Sequence, residues 1–258
     1  MPRLYKGANV LDSKTAKVGA LRKFGVELEV SDAPSWGGLE GRTCFGVKDD
    51  CSVNGDGLEF VSPVLQGDAG LEAVANLCDY AENAGWDCDS SCGFHLHIDA
   101  ADLDDEQRKR IYYAYKLTEA LWHKFVSSSR ANNSYCREIH ADAEEIKQWS
   151  WEECLNKAEH SYDGRYIWCN IVAFYSHSTI EIRLHHGTID KQTVLSWIKA
   201  HLRFVEVVRS MTMAQIESMF AGKATAGAML EVERIWRDAE LSRFYRGRAA
   251  RYRQPVHA

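Results

Sequence analysis

The sequence predicts a single α+β domain, an antiparallel sheet whose apolar face is covered by helices. Three observations lead there. The run Phe24-Gly25-Val26-Glu27-Leu28-Glu29-Val30 alternates apolar and acidic residues. A strand sends alternate side chains to opposite faces, so Val26, Leu28 and Val30 meet a core while Glu27 and Glu29 share the other side. The same alternation recurs at 57–63 with Glu59, at 92–99 with His95 and His97, and at 179–184 with Glu181 and Arg183. Longer stretches instead carry apolar residues at helical spacing, such as Leu71, Val74, Leu77, Cys78 and Ala81.

Taken in order, residues 1–21 read as an irregular lead-in and Arg22 to Ser31 as the first strand. Asp32 to Gly41 holds Pro34, Gly37, Gly38 and Gly41 and is a loop. Thr43 to Val47 is expected to be a strand, and 48–57 a turn region with the hairpin signals Asn54-Gly55 and Asp56-Gly57. Ser62-Pro63 ends the Glu59 strand. Gly70 to Asn83 reads as a helix closed by Gly85, Trp86 to Cys88 as a short strand. Asp104 caps a long helix with Ile111, Tyr115, Leu117, Leu121, Trp122 and Phe125 inward, and Ser127 to Tyr135 is a polar loop. Ala141 to Glu159 is expected to hold short acidic helices. Tyr166 to Tyr175 and Thr179 to His186 are expected to form a hairpin around Ser176-His177-Ser178. Asp190 caps another helix with Val194, Ile198, Leu202, Val205 and Val208 on one stripe, and the chain stays helical to about Tyr245. This divides the chain into the lead-in 1–21, a main domain 22–241 and a basic tail 242–258.

A net charge of −6 excludes a general electrostatic nucleic-acid binder. No apolar run approaches the ~20 residues that span a bilayer, and the N-terminus lacks the apolar core of a signal peptide. Eight scattered cysteines are therefore expected to be free thiols in a reducing cytoplasm. From Leu241 onward the chain carries Arg243, Arg246, Arg248, Arg251 and Arg253 among Phe244, Tyr245 and Tyr252, with no acid. Such a segment can bind nucleic acid or an acidic partner, or fold back on the chain's own acidic surface; the negative total charge favours the second.

Solvated strands usually carry Thr, Lys, Ser and Gln. Here the polar faces carry groups that ligate metals or bind anions, so they converge on one site. Glu27, Glu29, Glu59 and Glu181 offer hard oxygens and His95 a nitrogen, a set suited to Mg²⁺ or Mn²⁺ more than to Zn²⁺. So many carboxylates would repel one another without more than one cation. Arg183 beside such ions suits an anionic partner, phosphoryl oxygens above all. No Gly-x-x-x-x-Gly-Lys-Ser/Thr loop is present. Other readings stay open: a zinc site from His95, His97, Cys88 and Cys92, a metal hydrolase, a Cys92–His95 or Cys136–His140 nucleophile pair, or a non-catalytic binding protein.

The ordered set Glu27-x-Glu29, Asp50-x-Ser52, Glu59-x-Val61-Ser62-Pro63, Ser91-Cys92-Gly93-x-His95-x-His97, Arg130-x-x-Asn133-x-Tyr135-Cys136 and Ile180-Glu181-x-Arg183 resembles the amidoligase family. That family belongs to the carboxylate–amine ligases related to glutamine synthetase and glutamate–cysteine ligase. The resemblance spans roughly residues 22–205. It implies a glutamine synthetase-like fold, a curved antiparallel sheet of about six strands. ATP and about two or three Mg²⁺ or Mn²⁺ ions would sit on its concave face. It also implies the reaction: ATP phosphorylates a substrate carboxylate, and an amine attacks the acyl phosphate to give an amide, ADP and phosphate. By the same resemblance Glu27, Glu29, Glu59, Glu181 and His95 are metal ligands, with Glu59 also in the catalytic set. His97 lies near the nucleotide, and Arg183 holds the transferred phosphoryl group. Asp50 orients or deprotonates the amine, and Arg130 and Asn133 bind substrate or phosphate. The partners implied are small-molecule, peptide or protein carboxylates and amines, and a homo-oligomer is an expectation. One departure is Cys51, where a small turn residue such as Gly is expected.

Overall fold

Residues 22–34, 43–55, 57–130, 133–161 and 164–252 are described in a computed structural model. The expected lead-in, Gly37, Gly38, Gly41, Asp56, Asn132 and Arg253 lie outside them. The first strand is β1 (Phe24–Val30), followed by β2 (Gly46–Asp49) and β3 (Leu58–Val61). The next three are β4 (Gly93–Asp99), β5 (Cys169–Asn170) and β6 (Thr179–His186). They form one open, six-stranded sheet in the order β2-β3-β1-β4-β6-β5, antiparallel at every pairing. Val26, Leu28, Phe60, Phe94, Leu96, Ile98, Ile180, Ile182 and Leu184 are all buried in its apolar face. Each such side chain stabilises the fold by about 1.5–3 kcal/mol. Strand alternation then leaves Glu27, Glu29, Glu59, His95, His97 and Glu181 on the opposite face.

The helices complete the core. Helix α1 (Gly67–Ala84) buries Val74, Leu77, Cys78 and Ala81, and ends at Gly85 in the left-handed region, φ 71°. Helix α2 (Asp105–His123) starts in a capping box: Asp104 accepts from the Gln107 N–H, and the Gln107 side chain accepts from the Asp104 N–H. Asp142 and Ser150 make the same box for α3 (Ala143–Gln148) and α4 (Trp151–Glu159). Asp190 caps α6 (Lys191–Val208). Trp122 of α2 lies 4.1 Å from the His201 ring and 5.8 Å from Trp197, both on α6.

Helices α7 (Met213–Phe220), α8 (Thr225–Trp236) and α9 (Ala239–Arg251) follow. The expected tail boundary at 242 falls inside α9, and that helix is packed against the domain. Tyr245 is fully buried, 4.6 Å from the Phe125 ring and 4.9 Å from Trp236. Arg248 donates to the Phe125 carbonyl at 2.7 Å and to Thr193 Oγ1 at 3.2 Å, and Arg246 pairs with Glu233. Arg246 thus meets an acidic residue of the chain, whereas Arg248 is held by neutral groups.

Three expectations are corrected. The second strand is Gly46–Asp49 rather than 43–47, because β3 sets its register, Lys48 opposite Glu59 and Asp49 opposite Leu58. Trp86 to Cys88 makes only the single bridge of Asp87 to Asp32. The long hairpin arm at 166–175 is a two-residue strand, β5, followed by the short helix α5 (Ala173–His177). Asn170 ends the strand by accepting the Val172 N–H on Oδ1, and Ser178 ends the helix at φ 55°. Phe174 and Tyr175 favour strands by propensity, but the Asn170 turn and the left-handed Ser178, whose N–H donates to the Phe174 carbonyl, bound a helix here instead.

Because Tyr245 seals the aromatic core, Tyr245→Ala is expected to cost about 3–5 kcal/mol. A denaturant titration checks this; a loss under 1 kcal/mol would mean that α9 is not part of the cooperative unit.

Candidate functional site

The site follows from register. With β1 between β3 and β4, Glu29 faces Glu59, Glu27 faces His95, and one strand further His97 faces Glu181. Directly opposed residues on one face hold their Cβ atoms about 4.5–5.5 Å apart. At the two edges Lys48 faces Glu59 and Asn170 faces Glu181.

The side chains close on one another. His95 Nδ1 lies 3.1 Å from Glu27 and 3.7 Å from Glu181, and its Nε2 lies 3.6 Å from Glu29. His97 Nδ1 hydrogen-bonds Thr179 Oγ1 at 3.0 Å, while its buried Nε2 has no hydrogen-bond partner and sits 3.5 Å from Glu27. Glu29 accepts the Gly93 N–H at 2.6 Å. A Cβ at Gly93 would lie 2.8 Å from His95 Nε2, which is why glycine precedes that histidine by two residues. Lys48 Nζ reaches Glu59 at 2.6 Å, Asn170 donates to Glu181 at 2.6 Å, and Arg183 Nη1 donates to Glu181 at 2.5 Å.

These neighbours pull the carboxyl groups apart electrostatically. Burial opposes ionisation of Glu27, yet the neighbouring His95 and His97 rings hold it well below the usual carboxylate range. Burial and the charge of Glu27 push Glu59 up, against the pull of Lys48. Burial also opposes the charge of Glu181, and Arg183 with both histidines holds it low. Burial would depress His97, but Glu27 and Glu181 raise it.

Three overlapping groups place their ligand atoms within 4.8 Å of one another: Glu27, His97 and Glu181; Glu27, Glu59 and His95; Glu29, Asp50 and Glu59. The donor set is oxygen-rich with one imidazole in two of the groups, which fits Mg²⁺ or Mn²⁺. Glu29 opposite Glu59 is a like-charge pair that a cation would relieve, and the unpartnered His97 Nε2 is a further donor. The residues present therefore fit divalent cations. No cysteine belongs to these groups among the described residues. Cys88 donates to the Glu29 carbonyl, and burial raises Cys136, whose thiol donates to the Arg130 carbonyl. Cys92 donates to Asp89 at 3.7 Å, so the zinc and thiol readings find no cysteine–histidine group among the described residues.

A cavity of about 610 Å³ opens over this face; it is lined by the four glutamates, both histidines, Asp50 and Arg183. A neighbouring cavity of about 390 Å³ shares Glu27, His97 and His177 with it. Asp50 accepts from the Ser52 N–H at 2.8 Å through Oδ1. Two residues of the expected site lie elsewhere. Arg130 is 2% exposed, and its guanidinium donates to the backbone carbonyls of Arg183 at 2.8 Å and Leu184 at 3.2 Å. It holds β6 in place and does not line the cavity. Asn133 accepts the Tyr135 N–H at 2.8 Å in a local turn. Sequence reasoning missed Lys48, Asn170, Arg165, Tyr166 and His177 in the lining. Only Asn170 left a signal, a lone amide within the apolar run 167–173.

A family model for a putative amidoligase enzyme matches residues 45–205. The chain belongs to this amidoligase family. The match takes in every site residue except Glu27 and Glu29, which β1 delivers from outside it. No protein of curated function matches this chain in sequence. Among solved structures, the chain is similar to a bifunctional glutathione synthetase from Pasteurella multocida, at 11% identity and TM-score 0.49. The likeness covers 91% of this chain and 47% of that one, so the amidoligase spans about half its length. No helix of the described residues is long and apolar enough to cross a membrane, and all eight cysteines are free.

Glu59→Gln removes the like-charge confrontation with Glu29. The metal-free protein is expected to melt no lower than wild type, with a gain of up to ~1 kcal/mol, while the stabilisation by Mn²⁺ or Mg²⁺ shrinks. Thermal melts with and without metal check this, and an undiminished metal response would exclude Glu59 as a ligand.

Proposed function

We propose that this amidoligase is an ATP-dependent carboxylate–amine ligase with a glutamine synthetase-like arrangement of its sheet. The observation that carries the reading is the cross-strand array Glu27, Glu29, Glu59, Glu181, His95 and His97 with Arg183 at its edge. Glu27, Glu29, Glu59, Glu181 and His95 would hold Mg²⁺ or Mn²⁺. Bound divalent ions supply positive charge that offsets that of phosphoryl oxygens. In this reading ATP phosphorylates the acid substrate's carboxylate, and the amine displaces phosphate to leave an amide.

The chain's own residues orient these groups. Arg183 is anchored through Nη1 on Glu181 and Nε on the Tyr135 carbonyl at 3.3 Å, so its guanidinium is held ready for a phosphoryl oxygen. Asp50 has one oxygen engaged by Ser52, and the other serves the incoming amine as acceptor. His97 stands between the two cavities, where a nucleotide lying across both would meet it.

Isothermal titration of a non-hydrolysable ATP analogue, with Mg²⁺, Mn²⁺ or EDTA, tests the reading. Wild type is expected to bind only with metal, and Glu29→Ala to lose at least about tenfold in affinity, the worth of a charge-assisted ligand. Absence of nucleotide binding by folded wild-type protein under every metal condition would overturn it.

A further inference from the structure

We propose that Arg165, supported by Tyr166, is the subsite for a second anionic group on the acid substrate, which makes that substrate a dicarboxylate or its equivalent. The inference rests on the ligase reading and specifies its acid.

Gly164–Tyr166 form a short 3-10 turn just before β5. The turn is fixed, because Arg137 N–H donates to the Tyr166 carbonyl and Trp168 N–H to the Arg137 carbonyl, both at 2.8 Å. The Tyr166 ring is bracketed by two guanidiniums: Arg165 Cζ is 5.1 Å from its centroid and Arg183 Cζ 5.9 Å. Arg165 Nη2 also donates to Tyr166 Oη at 3.0 Å, and the Tyr135 ring meets Tyr166 edge-on at 5.4 Å. The guanidinium fork is thus held on an aromatic support, in the cavity wall.

Charge pairing sets Arg165 apart. Of the cations in that cavity, Lys48 is paired with Glu59 and Arg183 with Glu181. Arg165 is exposed and makes no ion pair with any described residue, although five carboxylates line the same space. Arg130, the arginine that the family pattern offers for an anion, is committed to backbone carbonyls. One guanidinium, Arg183, therefore stands beside the metal-ligand cluster where the reacting carboxylate belongs. A second, Arg165, contacts the same tyrosine and awaits an anion further along the substrate. A carboxylate fits such a fork with two parallel hydrogen bonds.

The test is titration of wild type, Arg165→Ala and Arg165→Lys with linear dicarboxylates from glutarate to pimelate. Each is paired with the monocarboxylate of equal length, with and without Mg²⁺ and the ATP analogue. Wild type is expected to favour at least one dicarboxylate by about 10- to 100-fold over its match, the range of a hydrogen-bonded charge pair. Arg165→Ala is expected to erase that preference while binding the nucleotide within twofold of wild type, and Arg165→Lys to keep part of it. Because Arg165 is exposed, the variants are expected to melt as wild type does. The proposal is overturned if no dicarboxylate outbinds its match, or if Arg165→Ala keeps the preference. It is also overturned if Arg165→Ala loses nucleotide affinity instead, which would make the subsite one for phosphoryl groups. Titrations without nucleotide read Arg165 directly, so a wild type that binds dicarboxylates but no nucleotide would remove the ligase reading and leave the anion subsite standing.

Discussion

Glu29 and Glu59 face each other across neighbouring antiparallel strands, and much of the site follows from that confrontation. Two carboxylates in directly opposed positions repel, and both are largely buried. Their neighbours answer the repulsion: Lys48 reaches Glu59 from one edge, Gly93 donates its N–H to Glu29, and His95 lies within reach of Glu27, Glu29 and Glu181. Burial and the charge of Glu27 add to the strain on Glu59, which stays shifted upward despite Lys48. Such an arrangement fits divalent cations, which is the reading proposed for this face of the sheet.

The apolar side of the sheet makes this tolerable. Each strand that carries a carboxylate or imidazole to the cavity drives an alternate Val, Leu, Ile or Phe into the core. The aromatic set of Trp122, Trp197, Trp236, Phe125 and Tyr245 joins α2, α6, α8 and α9 behind it. The charges are thus displayed by strands that are rigid because their other face is packed. The buried Arg130 and Arg248 also brace the core, through hydrogen bonds to the backbone carbonyls of Arg183, Leu184 and Phe125.

How much of this the sequence carried depends on the range of the interaction. Period-2 alternation was sufficient to place Glu27, Glu29, Glu59, His95, His97 and Glu181 on polar faces, because strand geometry is local. Capping was legible for the same reason, at Asp104 and at Gly85. Register was not legible. It moved β2 by two or three residues and so made Lys48 a partner of Glu59, which no local pattern announces. The 166–177 segment failed similarly. Its aromatic residues favour strands, whereas a turn at Asn170 and a left-handed backbone at Ser178 bound it as a two-residue strand and a short helix. Arg130 matched a family motif in sequence, and only the fold reveals that its guanidinium points into the backbone of β6.

The cavity consequently has two kinds of wall. The floor is made of sheet residues whose positions are set by register and by the core beneath them, a placement suited to groups that must hold fixed geometry. The cationic flank of Arg165, Tyr166 and Tyr135 comes instead from a 3-10 turn and a loop, where residues can change without disturbing the sheet. In the proposed ligase reading, the floor is the place that handles phosphoryl groups and the adjustable wall is the one that chooses which acid is presented to them. Arg183 belongs to both. It is rooted in β6 beside Glu181, yet its guanidinium lies against Tyr166, so the turn-built wall is registered on the sheet-built floor through one side chain.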